Sequence, residues 1–275
     1  MPSSASGLSP EEAALLTTLA AEGRQVFTID DAYECWQGDP ITPERLHRMV
    51  RKGWLERIER GRYVIIPFEA GPDREWSEDA LVLASHLAKP SAVAYWSALH
   101  YWNLTEQIPR ITYVQTTTRK WKRRIEAMGL RFQIVTITER KFFGLERVFV
   151  DDARVVVTDR EKTLIDGLDR PDLTGGIPEV AKALRTAASG VDWDMVDTYL
   201  DRFGSGAVIK RLGYLVETLE LDVPDRDERL QAWKKRLTSG ISTLDPSSAR
   251  EPHRIATQWR LWINVDEAGL KEVAE

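Results

Sequence analysis

The sequence has little cysteine, no long apolar run and no leader-like N-terminus. Cys35 is the single cysteine among 275 residues, which excludes an intramolecular disulfide and a cysteine-based zinc site. No stretch of about 18 apolar residues occurs, so a transmembrane helix and a membrane partner are not expected. Residues 1–7 lack the basic start and the apolar stretch of a signal peptide. Together with the low cysteine content, this predicts a cytoplasmic protein.

Common catalytic signatures are also missing. The four histidines are too scattered to form a metal-ligand pair, and neither a Walker-type phosphate loop nor a strand-coupled Gly-x-Gly-x-x-Gly occurs. Asp159, Glu161 and Asp166 form the densest carboxylate group. The first two fall in the first turn of a predicted helix, where acids stabilise the helix dipole. We therefore expect a protein that is not an enzyme and that uses neither a metal ion nor a cofactor.

The charge of the chain is unevenly distributed. Hydrophobic residues make up 43% and charged residues 29%, which is typical of a folded chain, and the length predicts two domains. The net charge is −5, but residues 45–62 hold seven Lys and Arg against two Glu, and residues 110–131 hold seven against one Glu. A nucleic-acid binder needs a local basic face rather than a basic average. These two segments therefore indicate where a polyanion would bind.

Residues 1–70 show the element order of a winged helix-turn-helix domain. The segment 9–12, Ser-Pro-Glu-Glu, predicts a helix start with a capping box, and residues 28–31 predict a second one. A third helix is expected from Thr42 to about Gly53. Two β-runs, joined by a turn through Arg60 and Gly61, follow as a hairpin. In such a domain the third helix enters the major groove, and the hairpin, or wing, contacts phosphates or the minor groove.

The third predicted helix is amphipathic, with apolar residues on one face and basic residues mostly on the other. Such a helix is often only a solvated face, but its place before a basic hairpin favours DNA binding. Arg48 and Arg51 are the candidates for contacts with base edges or central phosphates, because arginine can bond guanine through two donors. The wing arginines would add salt-dependent affinity. The residues predicted to bind DNA are Thr42, Arg45, Arg48, Arg51, Lys52, Arg60 and Arg62.

Residues 71–275 predict a larger α+β domain, with a small mixed sheet and C-terminal helices. The loop at 71–73, Gly-Pro-Asp, marks the boundary. Strands are expected at 111–115, 132–137, 147–150, 154–157 and 259–265, and helices at 76–88, 91–102, 177–188, 192–203, 205–220 and 226–238. A capping box at 158–161 predicts one further helix.

A basic segment lies between two of these strands and consists of Arg119, Lys120, Trp121, Lys122, Arg123 and Arg124. One interpretation is a solvated loop. The other is a surface for an acidic partner, which would be flanking DNA, RNA or a protein. The tryptophan favours contact, since an exposed indole gains from being covered.

Several segments, spread over nearly the full length of the chain, are similar in order and spacing to those of a known protein family. They are 60–64 (Arg-Gly-Arg-Tyr-Val), 95–104 (Tyr-Trp-Ser-Ala-Leu-His-Tyr-Trp-Asn-Leu), Pro109 with the strand at 111–115, 142–144 (Phe-Phe-Gly), 155–166 (Val-Val-Val-Thr-Asp-Arg-Glu-Lys-Thr-Leu-Ile-Asp), 210–217 (Lys-Arg-Leu-Gly-Tyr-Leu-Val-Glu) and 262–264 (Trp-Ile-Asn). With these segments the chain resembles an AbiEi-type antitoxin of the type IV toxin–antitoxin (abortive infection) systems.

The resemblance implies a transcriptional repressor that binds inverted repeats of double-stranded DNA in its own promoter. It also implies a role in phage defence, in which the C-terminal domain relieves the toxicity of a co-encoded nucleotidyltransferase toxin, with or without a stable complex. The resemblance assigns DNA binding to the basic residues of the N-terminal domain. It does not identify any residue that neutralises the toxin.

Two other classes of function stay open from the sequence. A ligand-responsive winged-helix regulator would need an apolar pocket in its second domain, and the region around Trp96 and Trp102 is the candidate. A nucleic-acid-processing enzyme would need convergent carboxylates or metal ligands, which the sequence does not show. The basic third helix needs no dimer to enter a groove, so we expect a monomer in solution that pairs on an inverted repeat.

Overall fold

The N-terminal unit has winged helix-turn-helix topology. The computed structural model of the protein describes residues 7–66, 79–120, 122–150, 153–249 and 251–274. The N-terminal unit consists of α1 (Pro10–Ala21), β1 (Val26–Thr28), α2 (Ile29–Cys35), α3 (Thr42–Arg51), β2 (Leu55–Glu59) and β3 (Arg62–Ile65). In the described part of this unit the strands pair antiparallel in the order β1-β3-β2. Strands β2 and β3 form the wing.

Side-chain caps fix the helix starts of this unit. The Ser9 hydroxyl accepts a hydrogen bond from the backbone N–H of Glu12, whose carboxylate accepts one from the N–H of Ser9. Thr28 and Asp31 make the same reciprocal pair at α2. Both predicted capping boxes are therefore present. At α3 no side chain caps the helix, and Thr42 is the first helical residue rather than a cap.

The larger unit is α+β, as the sequence predicts. Its main sheet contains β4 (Ala92–Val93), β5 (Thr112–Thr116), β6 (Arg124–Ala127), β7 (Leu130–Thr136), β8 (Leu145–Val150) and β9 (Ala153–Thr158). Within the described residues these strands follow the order β6-β7-β5-β4-β9-β8. The pairs β4–β9 and β5–β7 are parallel and the others antiparallel, so the sheet is mixed. The helix α4 (Ala80–His86) packs against one face, and α5 (Tyr95–Tyr101) follows β4.

A helical layer with a small second sheet completes the unit. The helices are α6 (Arg160–Asp169), α7 (Ile177–Ala187), α8 (Trp193–Phe203), α9 (Gly206–Thr218), α10 (Arg226–Lys235) and α11 (Glu267–Ala274). The small sheet contains β10 (Ser242–Thr243), β11 (Arg254–Ala256) and β12 (Leu261–Ile263). An extensive apolar core lies within this layer and includes the buried indoles of Trp193, Trp233 and Trp259.

Several sequence predictions for this unit are wrong in detail. Residues 92–93, predicted as helix, form a strand, because β4 is inserted between β5 and β9 and its pairing overrides local helix propensity. At α6 the cap is Asp159, which accepts from the N–H of Lys162, so the cap lies one residue later than predicted. The strand expected to close the chain is followed by α11, and β6, β10 and β11 have no counterpart in the prediction. The boundary loop at 71–73 and the predicted helix start at 76–78 lie outside the described residues, so the domain boundary stays a prediction.

One glycine allows the helical layer to close around an indole. A Cβ built on Gly213 in α9 would lie 2.1 Å from ring carbons of the buried Trp259. We expect Gly213→Ala to lower the free energy of unfolding by about 1–3 kcal/mol, because overpacking outweighs the gain in helix propensity. At about 2 °C per kcal/mol, the melting temperature should fall by a few degrees.

Gly269→Ala in α11 is the matched control. The nearest described atom to a Cβ there is 3.6 Å away, so this change should leave the melting temperature unchanged or raise it slightly. Equal melting temperatures for wild type and Gly213→Ala would contradict the packing at Trp259.

Candidate nucleic-acid interface

The outer face of α3 carries a row of exposed polar side chains. Glu44, His47, Arg48 and Arg51 follow the i, i+3, i+4, i+7 spacing of one helix face, and all are exposed. The opposite face packs into the N-terminal core. Arginine can donate to guanine, and a glutamate can accept from the amino group of cytosine. The row therefore presents both donors and an acceptor to solvent.

A buried carboxylate holds the C-terminal half of this helix against α1. Glu12 is fully buried and pairs with Arg48 Nε at 3.0 Å and with Lys52 Nζ at 2.7 Å. Burial alone would raise the pKa of Glu12. The hydrogen bonds from Lys52, the Ser9 backbone and Arg48 outweigh it, and the pKa is lowered. The Arg48 side chain is 44% exposed, so the two terminal nitrogens of its guanidinium stay available to a ligand.

The remaining predicted residues of α3 differ in accessibility. Arg45 pairs with Asp39 at 3.0 Å and its guanidinium lies over the ring of Trp36, 5.3 Å from the centroid. Thr42 is buried and donates its hydroxyl to the carbonyl of Asp39, so its side chain has a structural role. Arg51 is exposed, and the described part of the chain offers it no hydrogen-bond or ion-pair partner.

The two wing arginines have different environments. Arg60 lies exposed in the hairpin turn. Arg62 is directed into the protein, where it donates to the carbonyl of Leu87 at 2.6 Å and lies 3.4 Å from the Glu59 carboxylate. Only Arg60 of this pair therefore presents its charge outward.

The basic segment of the larger unit lies next to the wing. Lys120 is half-buried and 3.8 Å from Glu59, and Lys122 donates to the carbonyl of Ile58 at 3.2 Å. Arg119 and Arg123 are exposed, as is Arg124, which donates from Nε to Gln133. Trp121 lies outside the described residues.

Sequence reasoning missed two members of the row on α3, Glu44 and His47. The signal was available, because both share a helical face with Arg48 and Arg51. A pattern based on positive charge alone does not include them, because one is an acid and the other a neutral imidazole. The burial of Thr42 and the inward turn of Arg62, in contrast, depend on tertiary contacts and have no local signal.

The carboxylates singled out in the larger unit are engaged in structure. Asp159 caps α6 and accepts a hydrogen bond from the Tyr199 hydroxyl at 2.7 Å. Burial, and after it this hydrogen bond, raises the pKa of Tyr199. Asp166 is buried and pairs with Lys162 one helical turn away, and burial raises the pKa of Asp166. Across the described residues no group of three or more His, Cys, Asp and Glu is placed to hold a metal ion. None of the described helices is long and apolar enough to cross a membrane.

One cleft in the larger unit has the size of a ligand site. It has a volume of about 520 Å³ and is lined by residues that include His100, Asn103, Ile108 and Phe149. The side chains of Ile108 and Phe149 are 78% and 66% exposed. Trp102 is only partly buried and donates its indole N–H to the carbonyl of Thr158.

The N-terminal unit combines three helices and an antiparallel hairpin with an exposed polar face on α3. Residues 14–66 match a family model described as "Transcriptional regulator, AbiEi antitoxin". For this region the match confirms the resemblance to AbiEi-type antitoxins that was drawn from the sequence, and the description of the family is that of a transcriptional regulator.

The crystal structure of the RV2827C protein from Mycobacterium tuberculosis shares the fold over nearly the entire chain. The two are 17% identical, with a TM-score of 0.68 over 99% of this chain and 97% of that one. Among curated proteins none matches the chain.

The Glu12 pairs predict a pH-dependent contribution to stability. Glu12→Gln leaves Arg48 and Lys52 without their counter-charge, and we expect it to lower the free energy of unfolding by about 1–3 kcal/mol at neutral pH. Because the pKa of Glu12 is lowered in the folded state, the wild-type advantage is complete above the unfolded-state pKa near 4.5 and is lost as the pH falls further. Denaturant titrations at neutral and acidic pH measure this difference.

Glu44→Gln provides the control, since Glu44 is exposed on the same unit and should change stability by less than about 0.5 kcal/mol. A Glu12→Gln deficit that stays constant down to acidic pH would contradict the ion-pair assignment.

Proposed function

We propose that this protein is the antitoxin and DNA-binding autorepressor of a type IV toxin–antitoxin operon, and that it neutralises a co-encoded nucleotidyltransferase toxin. The observation that carries the DNA-binding part is the exposed row on α3, in a domain that matches an antitoxin regulator family. In this proposal α3 enters the major groove of inverted repeats in the operon's promoter.

The environments of the basic residues divide their proposed roles. Among the described residues Arg51 and His47 have no side-chain partner, and they would contact base edges. Arg48, held through Nε by Glu12, would use its terminal groups on a base or a central phosphate. Arg60 at the wing tip would contact the phosphate backbone and contribute salt-dependent affinity.

The larger unit would carry the antitoxin activity without catalysis of its own. Its best acid and base candidates, Asp159, Lys162 and Asp166, are engaged with one another or with a helix cap, which favours a structural role. We further propose that the protein is a monomer in solution and that two copies pair on inverted repeats. Its role would be defence against phage, in the cytoplasm and without a membrane partner.

The cleft near His100 supports a second candidate function, that of a ligand-responsive regulator. Its volume of about 520 Å³ lies within the range of small-molecule sites. Under this alternative a small molecule, rather than a toxin, would control the occupancy of the operator. A metabolic gene beside this one would favour that alternative, whereas a nucleotidyltransferase gene favours the antitoxin.

A mobility-shift titration with promoter DNA tests whether α3 recognises the promoter sequence. We expect wild type to prefer the promoter duplex over a scrambled duplex, and Arg51→Ala to lose about tenfold or more of that preference, since one good base contact contributes about 1–3 kcal/mol. The control is Arg147→Ala, which removes an exposed arginine from β8. The DNA-binding proposal fails if wild type shifts neither duplex at low salt.

Co-expression with the neighbouring nucleotidyltransferase tests the antitoxin part. With both genes under unrelated promoters, wild type and Arg51→Ala should relieve growth arrest equally, because neutralisation is assigned to the larger unit. If wild type gives no relief while DNA binding is intact, the protein is a regulator and not an antitoxin. Relief by wild type but not by a stably folded Arg51→Ala would instead place neutralisation on α3.

A further inference from the structure

The cleft beside α4 has an apolar rim that the described part of the chain leaves uncovered. Among the large apolar side chains of the described residues, Ile108 and Phe149 are the most exposed, and both line this one cleft. Leu81 and Val150 add apolar surface to its wall. Exposed apolar side chains grouped around a concave surface are typical of a ligand site. An occupant with an apolar body would cover them.

Three polar side chains of the lining are available to an occupant. Asp79 caps α4 through Oδ1, which accepts from the backbone N–H of Leu81 at 2.7 Å, and the described residues offer its Oδ2 no partner. The exposed side chains of His100 and Asn103 likewise have no partner within the described part of the chain. The Ser97 hydroxyl, in contrast, already accepts from a backbone N–H. A carboxylate oxygen is therefore among the groups that can recognise a ligand.

The charge of the lining is negative. Apart from His100, Asp79 is the only acidic or basic side chain among the described residues that line the cleft. The guanidinium of Arg154 lies 5.6 Å from the centroid of the Phe149 ring, but Arg154 is not part of the lining. A carboxylate without a counter-charge attracts a cation and repels an anion. The cleft therefore favours a cationic ligand.

The helix α4 connects the cleft to the wing. Asp79 at its start lines the cleft, and the carbonyl of Leu87 at its end accepts from Arg62 of the wing at 2.6 Å. Side chains of α4 also belong to the buried cluster that contains Ile58 and Val64 of the wing. A ligand in the cleft would thus contact the same short helix that packs against the wing.

We propose that this cleft binds a small primary amine with an aromatic body. The ammonium group would lie at Asp79, and the aromatic body would pack against Ile108 and Phe149. The inference deepens the ligand-responsive alternative, and its consequence for DNA rests on that alternative. Binding of the amine itself requires no DNA, so it holds or fails independently of the proposed DNA binding.

Three probes that share an indole ring test the preference for a cation: tryptamine is cationic, tryptophol is neutral and indole-3-acetate is anionic. Isothermal titration calorimetry of the protein without DNA should give a dissociation constant of about 1 mM or tighter for tryptamine. Tryptophol should bind about two- to fivefold more weakly, and indole-3-acetate more weakly still. In an NMR titration with tryptamine the backbone amide shifts should change at Ala80, His100 and Phe149.

Two variants separate the charge from the apolar contact. Asp79→Asn keeps a good helix cap and removes the charge, so tryptamine and tryptophol should bind it equally. Phe149→Ala should weaken all three probes by about fivefold and keep their order, and it should fold normally because Phe149 is largely exposed. Asp222→Asn and Met195→Ala are the matched controls. Both residues are exposed and lie outside the lining, so these variants should match wild type.

Several results would overturn the inference. Tryptamine binding that Asp79→Asn and Asp222→Asn weaken equally would reflect a general attraction to an acidic protein rather than a site. The inference is also wrong if indole-3-acetate binds as tightly as tryptamine, or if none of the three probes binds at millimolar concentration. Each of these results would leave the tests of DNA binding and of toxin neutralisation unaffected.

Discussion

The packing of the wing against the large sheet is the constraint on which the arrangement of the two units depends. Ile58 and Val64 are 2% and 1% exposed, and both belong to the apolar cluster of the sheet. Full burial of one such side chain contributes about 1.5–3 kcal/mol, so this contact alone favours the docked wing by a few kcal/mol. The docked position explains why Arg62 donates to a carbonyl of the larger unit and why Arg60 is left to face solvent.

The same packing explains how an acidic protein has a local concentration of basic residues. The net charge of −5 is an average over the chain, while the basic segments converge where the units meet. The rest of the chain is strongly acidic, and only part of that charge is paired: in the helical layer Arg229 pairs with Asp194 and Asp197, and Arg236 pairs with Asp201. The field near the wing tip is therefore set by nearby cations, because exposed charges more than about 10 Å away are largely screened at 0.1 M salt.

How much the sequence predicts depends on whether the signal is local. The capping boxes at Ser9 and Thr28 and the helices α7 to α10 are encoded within short windows, and the sequence locates them to within a few residues. The two-residue strand β4 depends on its neighbours in the sheet, and it is too short for its own residues to indicate a strand. The same holds for the candidate site. The exposed row on α3 follows from helical spacing and can be predicted from the sequence. The pairing of Arg48 with Glu12, 36 positions away, is visible only in the fold.

Because Glu12 pairs with Arg48 and not with Arg51, the two arginines of α3 would contribute differently to affinity and selectivity. An arginine side chain has about 2 kcal/mol of rotamer entropy to lose on binding, and Glu12 has already restricted Arg48 before any DNA arrives. A restricted Arg48 binds at a smaller entropic cost, but its Nε is occupied and only the terminal groups can reach a base. Arg51 loses more entropy but can use every donor of its guanidinium in whatever geometry a base pair requires. In the proposed complex, discrimination between base pairs would therefore depend more on Arg51, while Arg48 would mainly fix the position of the helix in the groove.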